Sequence, residues 1–186
     1  MRMLLKTSLK GIGAFLLMTM IAGFAQAQVS GGAFNGFKQN NKDPIQIEAD
    51  ELEVLDAKST AIYKGNVKIR QGASLITTSR LDVIYDKDGD GGQGDIKQLN
   101  LSGGLVATSK GNTAQADKGV FYVKSEDIVL EGSVVVSQGK NIAKGCRLEA
   151  NLKTNLAKIK SCRSAGSKKK GRVTTVFIPG SQKKKN

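Results

Sequence analysis

The chain has 186 residues, with 29 Lys and Arg against 16 Asp and Glu, and it contains neither histidine nor tryptophan. The missing histidine removes Ser–His and Cys–His nucleophile pairs, the usual general base, and the commonest zinc ligand. The net charge of +13 is unevenly placed: residues 28–149 hold 15 basic and 16 acidic side chains, whereas 150–186 hold 11 basic and none acidic. The basicity therefore belongs to the C-terminal segment and not to the surface at large.

The N-terminus has the organisation of a secretory signal. Arg2, Lys6 and Lys10 form a basic start, Ile12 to Phe24 is an uncharged apolar run, and Ala25 and Ala27 frame a small-x-small cleavage site. The run is shorter than the ~20 apolar residues a spanning helix needs. Cleavage before Gln28 is expected, leaving residues 28–186 as one exported domain, large enough to bury a core without a metal. For an exported chain, a basic tail suits an anionic envelope lipid or an acidic protein, and nucleic acid is excluded as a partner. Residues 28–43, rich in Gly, Asn and Gln, read as a flexible lead.

From Pro44 onward the pattern is β. Ile45, Ile47 and Ala49 alternate with Gln46, Glu48 and Asp50, the period of a half-buried strand. The chain then repeats a frame. Gly65 to Gly72 (GNVKIRQG), Gly104 to Gly111 (GLVATSKG) and Gly132 to Gly139 (GSVVVSQG) each open and close on glycine. Each frame follows a hydrophobic stretch ending at Tyr63, Leu101 or Leu130. Each precedes an alternating pair: Leu81 and Val83, Phe121 and Val123, or Leu148 and Ala150. The unit is strand, glycine kink, strand, glycine turn, strand, and such recurrence indicates stacked units that bury their faces against one another. An ordinary β-sandwich is the alternative. No apolar spacing of three and four residues marks an amphipathic helix after Phe24.

Motifs for chemistry are sparse. No phosphate-cradling loop is present, and no cofactor is called for. Asp86, Asp88, Asp90 and Gly91 imitate the start of a calcium loop, but the position of its bidentate glutamate is Lys97, so the segment Asp86–Asp95 is expected to be an exposed connector without a metal. Cys146 and Cys162 flank a hairpin turned at Lys153 to Asn155 and form a candidate disulfide. Direct pairing of the two cysteines would set Leu148 against Lys160. A slip of one residue sets Leu148 against Ile159, Glu149 against Lys158 and Ala150 against Ala157, which suits the apolar faces better; a bulge at Gly145 would reconcile the two. Lys168 to Lys170, Arg172 and Lys183 to Lys185 make a basic tail, with residues 181–186 expected to be disordered. The β-branched insert from Arg172 to Pro179 reads as a terminal strand with an open edge.

Four segments in this order resemble the LptA/OstA-like family of periplasmic lipopolysaccharide-transport proteins: Asp43 to Asp50 (DPIQIEAD), Tyr63 to Gly72 (YKGNVKIRQG), Val129 to Val134 (VLEGSV) and Arg172 to Pro179 (RVTTVFIP). The resemblance covers residues 43–180 and leaves out both cysteines and the Asp86 loop. It implies an all-β fold, a twisted β-jellyroll of stacked antiparallel strands over residues 44–180, with an open hydrophobic interior. It implies a non-enzymatic periplasmic carrier whose interior holds lipid A acyl chains. The apolar rows that would do so contain Ile45, Ile47, Ile62, Val67, Ile69, Leu81, Val83, Leu101, Phe121, Val123, Val134, Val136 and Leu148. It further implies docking edges at both ends. Pro44, Gln46 and Glu48 would meet an inner-membrane-anchored protein of similar fold; Arg172, Val173, Thr175 and Phe177 would meet an outer-membrane translocon. Head-to-tail copies of the chain are a third possible arrangement. The competing reading is a β scaffold that bridges envelope proteins and binds no lipid.

Overall fold

The computed structural model describes residues 43–86, 95–162 and 171–178. The expected signal peptide (1–27), nearly all of the lead, the interior of the Asp86–Asp95 loop, Lys168 to Lys170 and the tail from Pro179 lie outside the described residues. Among the described residues there is no α-helix. Ten strands run in chain order: β1 Gln46–Glu48, β2 Glu51–Leu55, β3 Thr60–Gln71, β4 Ser74–Tyr85, β5 Ile96–Ser109, β6 Asn112–Tyr122, β7 Asp127–Gln138, β8 Asn141–Asn151, β9 Leu156–Lys160 and β10 Thr174–Val176, with one 3-10 turn at Asp56–Lys58. All pairings are antiparallel and join the strands into a single sheet, which does not close on itself.

Every long strand is broken in register near its middle. On β3, β5 and β7 two residues (Gly65 and Asn66, Gly103 and Gly104, Gly132 and Ser133) stand opposite one residue of the neighbour: Ser79 on β4, Asp117 on β6 or Cys146 on β8. These β-bulges align in a column, and each bends its strand. The column divides the sheet into two wings. At the N-terminal end β2 pairs with the Thr60–Lys64 half of β3, while β1 pairs with the Lys68–Arg70 half. At the C-terminal end β9 pairs with the Arg147–Asn151 half of β8, while β10 pairs with the Ile142–Lys144 half. Each end of the stack therefore carries two short strands, one per wing, instead of the one long terminal strand expected at Pro44–Asp50 and at Arg172–Pro179.

The six glycines that open and close the three frames all have positive φ, between +55° and +97°. At Gly132 the requirement is double. Its φ is +97°, and a Cβ there would run into the Asp117 carboxylate. Only glycine meets both conditions without strain.

A lone sheet cannot bury its own face; the wings bury theirs by folding over each other. Inward residues of both wings form one cluster. Val67 and Val134 come from the second wing (the one ending in β1 and β10), and Leu81, Val83 and Leu148 from the first. The registers trace the inner rows: Ala61, Val83, Leu99, Phe121, Ile128 and Ala150 line up across the first wing, and Ile69, Ile76, Ala107, Ala114, Val136 and Ala143 across the second.

Candidate functional site

The space between the wings narrows to a cavity of about 130 Å³. The second wing supplies Ile45, Ile69, Ile76, Ala107 and Ala114. The first wing supplies Leu99, Leu101, Phe121, Ile128, Leu130 and Leu152. Leu105 and Val120 also line it, with two polar side chains, Gln71 and Ser74, and no charged residue takes part. Gly119 lies at the floor because a Cβ there would come within 2.7 Å of Leu105 and 3.0 Å of Leu130. The volume is close to that of the ~150 Å³ apolar cavity that accepts a benzene molecule. Deeper in, Val67, Leu81, Val83 and Leu148 are fully buried and pack the wings together.

At the N-terminal end the interior opens. Leu52 and Val54 pair across from Tyr63 and Ala61, so they belong to the inner rows, yet they are 54 and 60 % exposed. Ile45, entering the same mouth from the second wing, is 41 % exposed. At the other end Val176, Phe177 and Ile178 are exposed. Single exposed apolar residues are unremarkable, but Leu52, Val54 and Ile45 continue a buried face to the open N-terminal end of the sheet, whereas Val176 pairs with Ile142 in the outer row.

Charges stay on the outer face. Lys64 Nζ lies 3.1 Å from Glu51 and 2.9 Å from Glu53, and its hydrogen bond holds the Glu53 carboxyl below its ordinary pKa. At the opposite end Lys160 (2.6 Å) and Arg147 (2.8 Å) flank Glu149 and pull its pKa down to about 2. Arg147 also pairs with Glu131. Inside, burial is the main cause that pushes the Tyr85 hydroxyl up, with Tyr63 adding to it.

Among the residues expected to line the interior, Ile45, Ile69, Leu101 and Phe121 reach the cavity. Val67, Leu81, Val83, Val134, Val136 and Leu148 belong to the closed core, with Ile47 packed on its margin. Ile62 is buried too, at 8 % exposure, but on the other face of the sheet. It stands in the outer row, opposite Glu53 and Asp82. Ala61, Ile62 and Tyr63 are consecutive, only alternate ones can point inward, and the register gives that place to Ala61 and Tyr63. Val123 lies half-buried past the end of β6, in the turn to β7. Pro44, Gln46 and Glu48 are exposed at the β1 edge; Arg172, Thr175 and Phe177 are exposed and Val173 half-buried at the β10 edge. Missed in the sequence were Leu52 and Val54 at the mouth and, among the lining residues, Ile76, Leu99, Leu105, Ile128 and Leu152.

The structure joins Cys146 to Cys162, with Cα atoms 4.8 Å apart. The β8–β9 register is the slipped one, Leu148 opposite Ile159 and Ala150 opposite Ala157. No bulge at Gly145 reconciles them. The bulge is on β7, at Gly132 and Ser133, while Gly145 leaves room for the Ile159 side chain and the Lys160 carbonyl.

An antiparallel sheet folded into two wings around an apolar interior, open at both ends, is an open β-jellyroll. Residues 46–156 match the family model LptA/(LptD N-terminal domain) LPS transport protein, and the chain belongs to that family. It is 34 % identical over 177 residues to an uncharacterized protein of Rhizobium meliloti (strain 1021), covering 93 % of this chain and 89 % of that one. A shorter match, 33 % over 51 residues, covers 27 % of this chain and 29 % of the lipopolysaccharide export system protein LptH of Pseudomonas aeruginosa. The crystal structure of LptH, described as the LptA-homologous periplasmic component of a conserved lipopolysaccharide transport device, superposes with a TM-score of 0.62 at 20 % identity, covering 76 % of this chain and all of that one.

Proposed function

We propose that this chain is a periplasmic carrier that receives the acyl chains of lipopolysaccharide between its wings and passes the lipid along a bridge from inner to outer membrane. The observation that carries the reading is the continuity of the inner apolar rows from the buried core to the exposed Leu52, Val54 and Ile45 at the N-terminal mouth. Each methylene moved from water into such a face contributes ~0.8 kcal/mol, so acyl chains are held without a catalytic or charged group. The cavity of about 130 Å³ admits only part of one chain, so loading requires the wings to part. Nothing in this reading calls for catalysis by the chain; energy for directional movement comes from elsewhere.

The two ends support docking by strand addition. In the first wing β9 carries Ala157 and Ile159 inward and Lys158 and Lys160 outward, while β2 carries Leu52 and Val54 inward and Glu51 and Glu53 outward. A β2 edge laid antiparallel against a β9 edge would match apolar to apolar inside and lysine to glutamate outside. The N-terminal edge, Pro44, Gln46 and Glu48 with β2, would receive an inner-membrane-anchored protein of similar fold. The C-terminal edge, Arg172, Val173, Thr175 and Phe177 with β9, would face the outer-membrane translocon or a further copy.

One observation favours a second reading. Val67, Leu81, Val83 and Leu148 leave the middle of the interior closed, as a scaffold that bridges proteins without lipid would. Photo-crosslinking from Phe121 and from Ile47 in envelope vesicles decides between them. The carrier gives lipopolysaccharide adducts at these sites; absence of adducts from both leaves the scaffold.

A further inference from the structure

The innermost rows of the second wing change character one step before its hairpin turns. Beyond Ile69, Ile76, Ala107, Ala114, Val136 and Ala143, the next inward row is Gln71, Ser74, Ser109, Asn112, Gln138 and Asn141, each paired with the next across the sheet. All six side chains are uncharged hydrogen-bonding groups. Ser109 and Asn112 are buried, and the Ser74 hydroxyl donates to the Ser109 hydroxyl at 2.9 Å. The row spans β3 to β8 and is tied at both ends to the terminal segments. Gln71 Nε2 donates to the Asp43 carbonyl at 3.3 Å, and Asn141 Oδ1 accepts from the Ile178 N–H at 3.0 Å. The facing lip of the first wing is different: Tyr85, Ile96 and Leu152 there pack on the core.

Polar groups inside an otherwise apolar face are costly unless they are matched by partners. A straight row of six at the seam between wing and solvent is suited to an amphiphile whose neutral polar linkage must lie where its chains enter. We propose that this row is the recognition track for the acyl-linkage region of a glycolipid: its amide, ester and hydroxyl groups bind the Gln, Ser and Asn side chains, while the chains pass toward the apolar first wing. Gln71 and Ser74, which belong both to the row and to the cavity lining, mark the point of entry. The absence of any cation from the row directs it to neutral groups and leaves phosphates to solvent. Strand spacing of ~4.8 Å would present a donor or acceptor at each step along the stack. This inference rests on the lipid-carrier reading.

The test uses the full chain and two probes, lipid A and palmitate, each displacing a fluorescent fatty acid. The variant Gln138→Leu changes a half-buried member outside the cavity lining and leaves the buried Ser109 and Asn112 intact. It should bind lipid A about tenfold more weakly and palmitate within about twofold of the unaltered protein. Gln138→Asn should restore most of the lipid A affinity. Unchanged lipid A binding, or equal loss for both probes with circular dichroism unaltered, overturns the recognition track and leaves the carrier standing. Failure of the unaltered protein to bind either probe overturns the carrier reading, and this one with it.

Discussion

Asp117 accepts a hydrogen bond from the backbone N–H of Ser133 at 3.1 Å, and its carboxylate occupies the space where Gly132 has no side chain. The same relation recurs along the bulge column. Asp50 fills the space beside Gly65 and accepts from the Asn66 amide at 2.8 Å; Ser79 lies over Gly103 and donates to the Gly103 carbonyl at 2.8 Å. A small polar residue, on β4, on β6 or between β1 and β2, thus latches the bulge of the next strand.

The latch makes bulge glycines and turn glycines respond differently to substitution. Gly132→Ala should cost about 2–3 kcal/mol, from a strained φ plus the collision with Asp117. Gly139, in the β7–β8 turn with φ +57°, has nothing within 4 Å of a Cβ. Gly139→Asn should cost less than about 1 kcal/mol, because Asn tolerates the left-handed region. Urea denaturation of both variants measures the difference; equal losses would contradict the latch.

The disulfide closes a loop between residues 16 apart, for which chain entropy gives a stabilisation of about 3 kcal/mol. Cys146→Ser with Cys162→Ser should lower stability by about 2–3 kcal/mol. The loss should be accompanied by faster amide exchange in β9 and β10, because the Cys162 carbonyl also accepts from the Gly171 N–H at 3.0 Å on the path to β10. Exchange mapped by mass spectrometry should leave β4 to β6 unaltered.

Acid should release the Glu149 cluster late, only as the pH approaches 2. The folded pKa of Glu149 is depressed from 4.5 to about 2, by the Lys160 and Arg147 hydrogen bonds. Its contribution is therefore complete above about pH 4.5 and is lost as pH falls toward 2. The pair is solvent-exposed, so the contribution is small and screened by salt. Glu149→Gln should flatten the stability profile across that window at low ionic strength, with little change in slope above pH 5.

Edge pairing between copies should depend on the charge match in the first wing. Lys158→Glu with Lys160→Glu should weaken self-association in analytical ultracentrifugation by about tenfold or more, and Glu51→Lys with Glu53→Lys on the partner copy should restore part of it. Removing residues 172–186 should leave the body folded, because β10 is the last strand among the described residues and pairs there with Ile142–Lys144 of β8 alone. It should also weaken binding at the C-terminal end.

Alternation made the strands legible, and the spacing of glycines located both kinks and turns from Gly65 to Gly139. Apolar matching alone placed Leu148 opposite Ile159. Runs without alternation leave the face undetermined: Ala61 to Tyr63 offers three apolar residues in a row, and only the partner strand decides which point inward. The splitting of each end into two strands was illegible for a related reason. The break at Asp50, between β1 and β2, falls where the bulge column passes, and that alignment is a property of neighbouring strands. The polar row was invisible because its members sit in three separate hairpins, Gln71 with Ser74, Ser109 with Asn112 and Gln138 with Asn141, which meet only through register.

The two-against-one count at the bulge column has a consequence for how such a molecule can change length. Strands with the extra residue alternate with strands without it, so the repeating element is a pair, not a single strand. Gain or loss of one hairpin would alter the stack by about 9.5 Å at ~4.8 Å per strand and leave both end surfaces with their polarity intact. Gain or loss of one strand would reverse an end and mismatch the column. The span of this fold is therefore adjustable only in even steps, and a lineage that needed a longer reach would have to duplicate hairpins whole or add copies end to end.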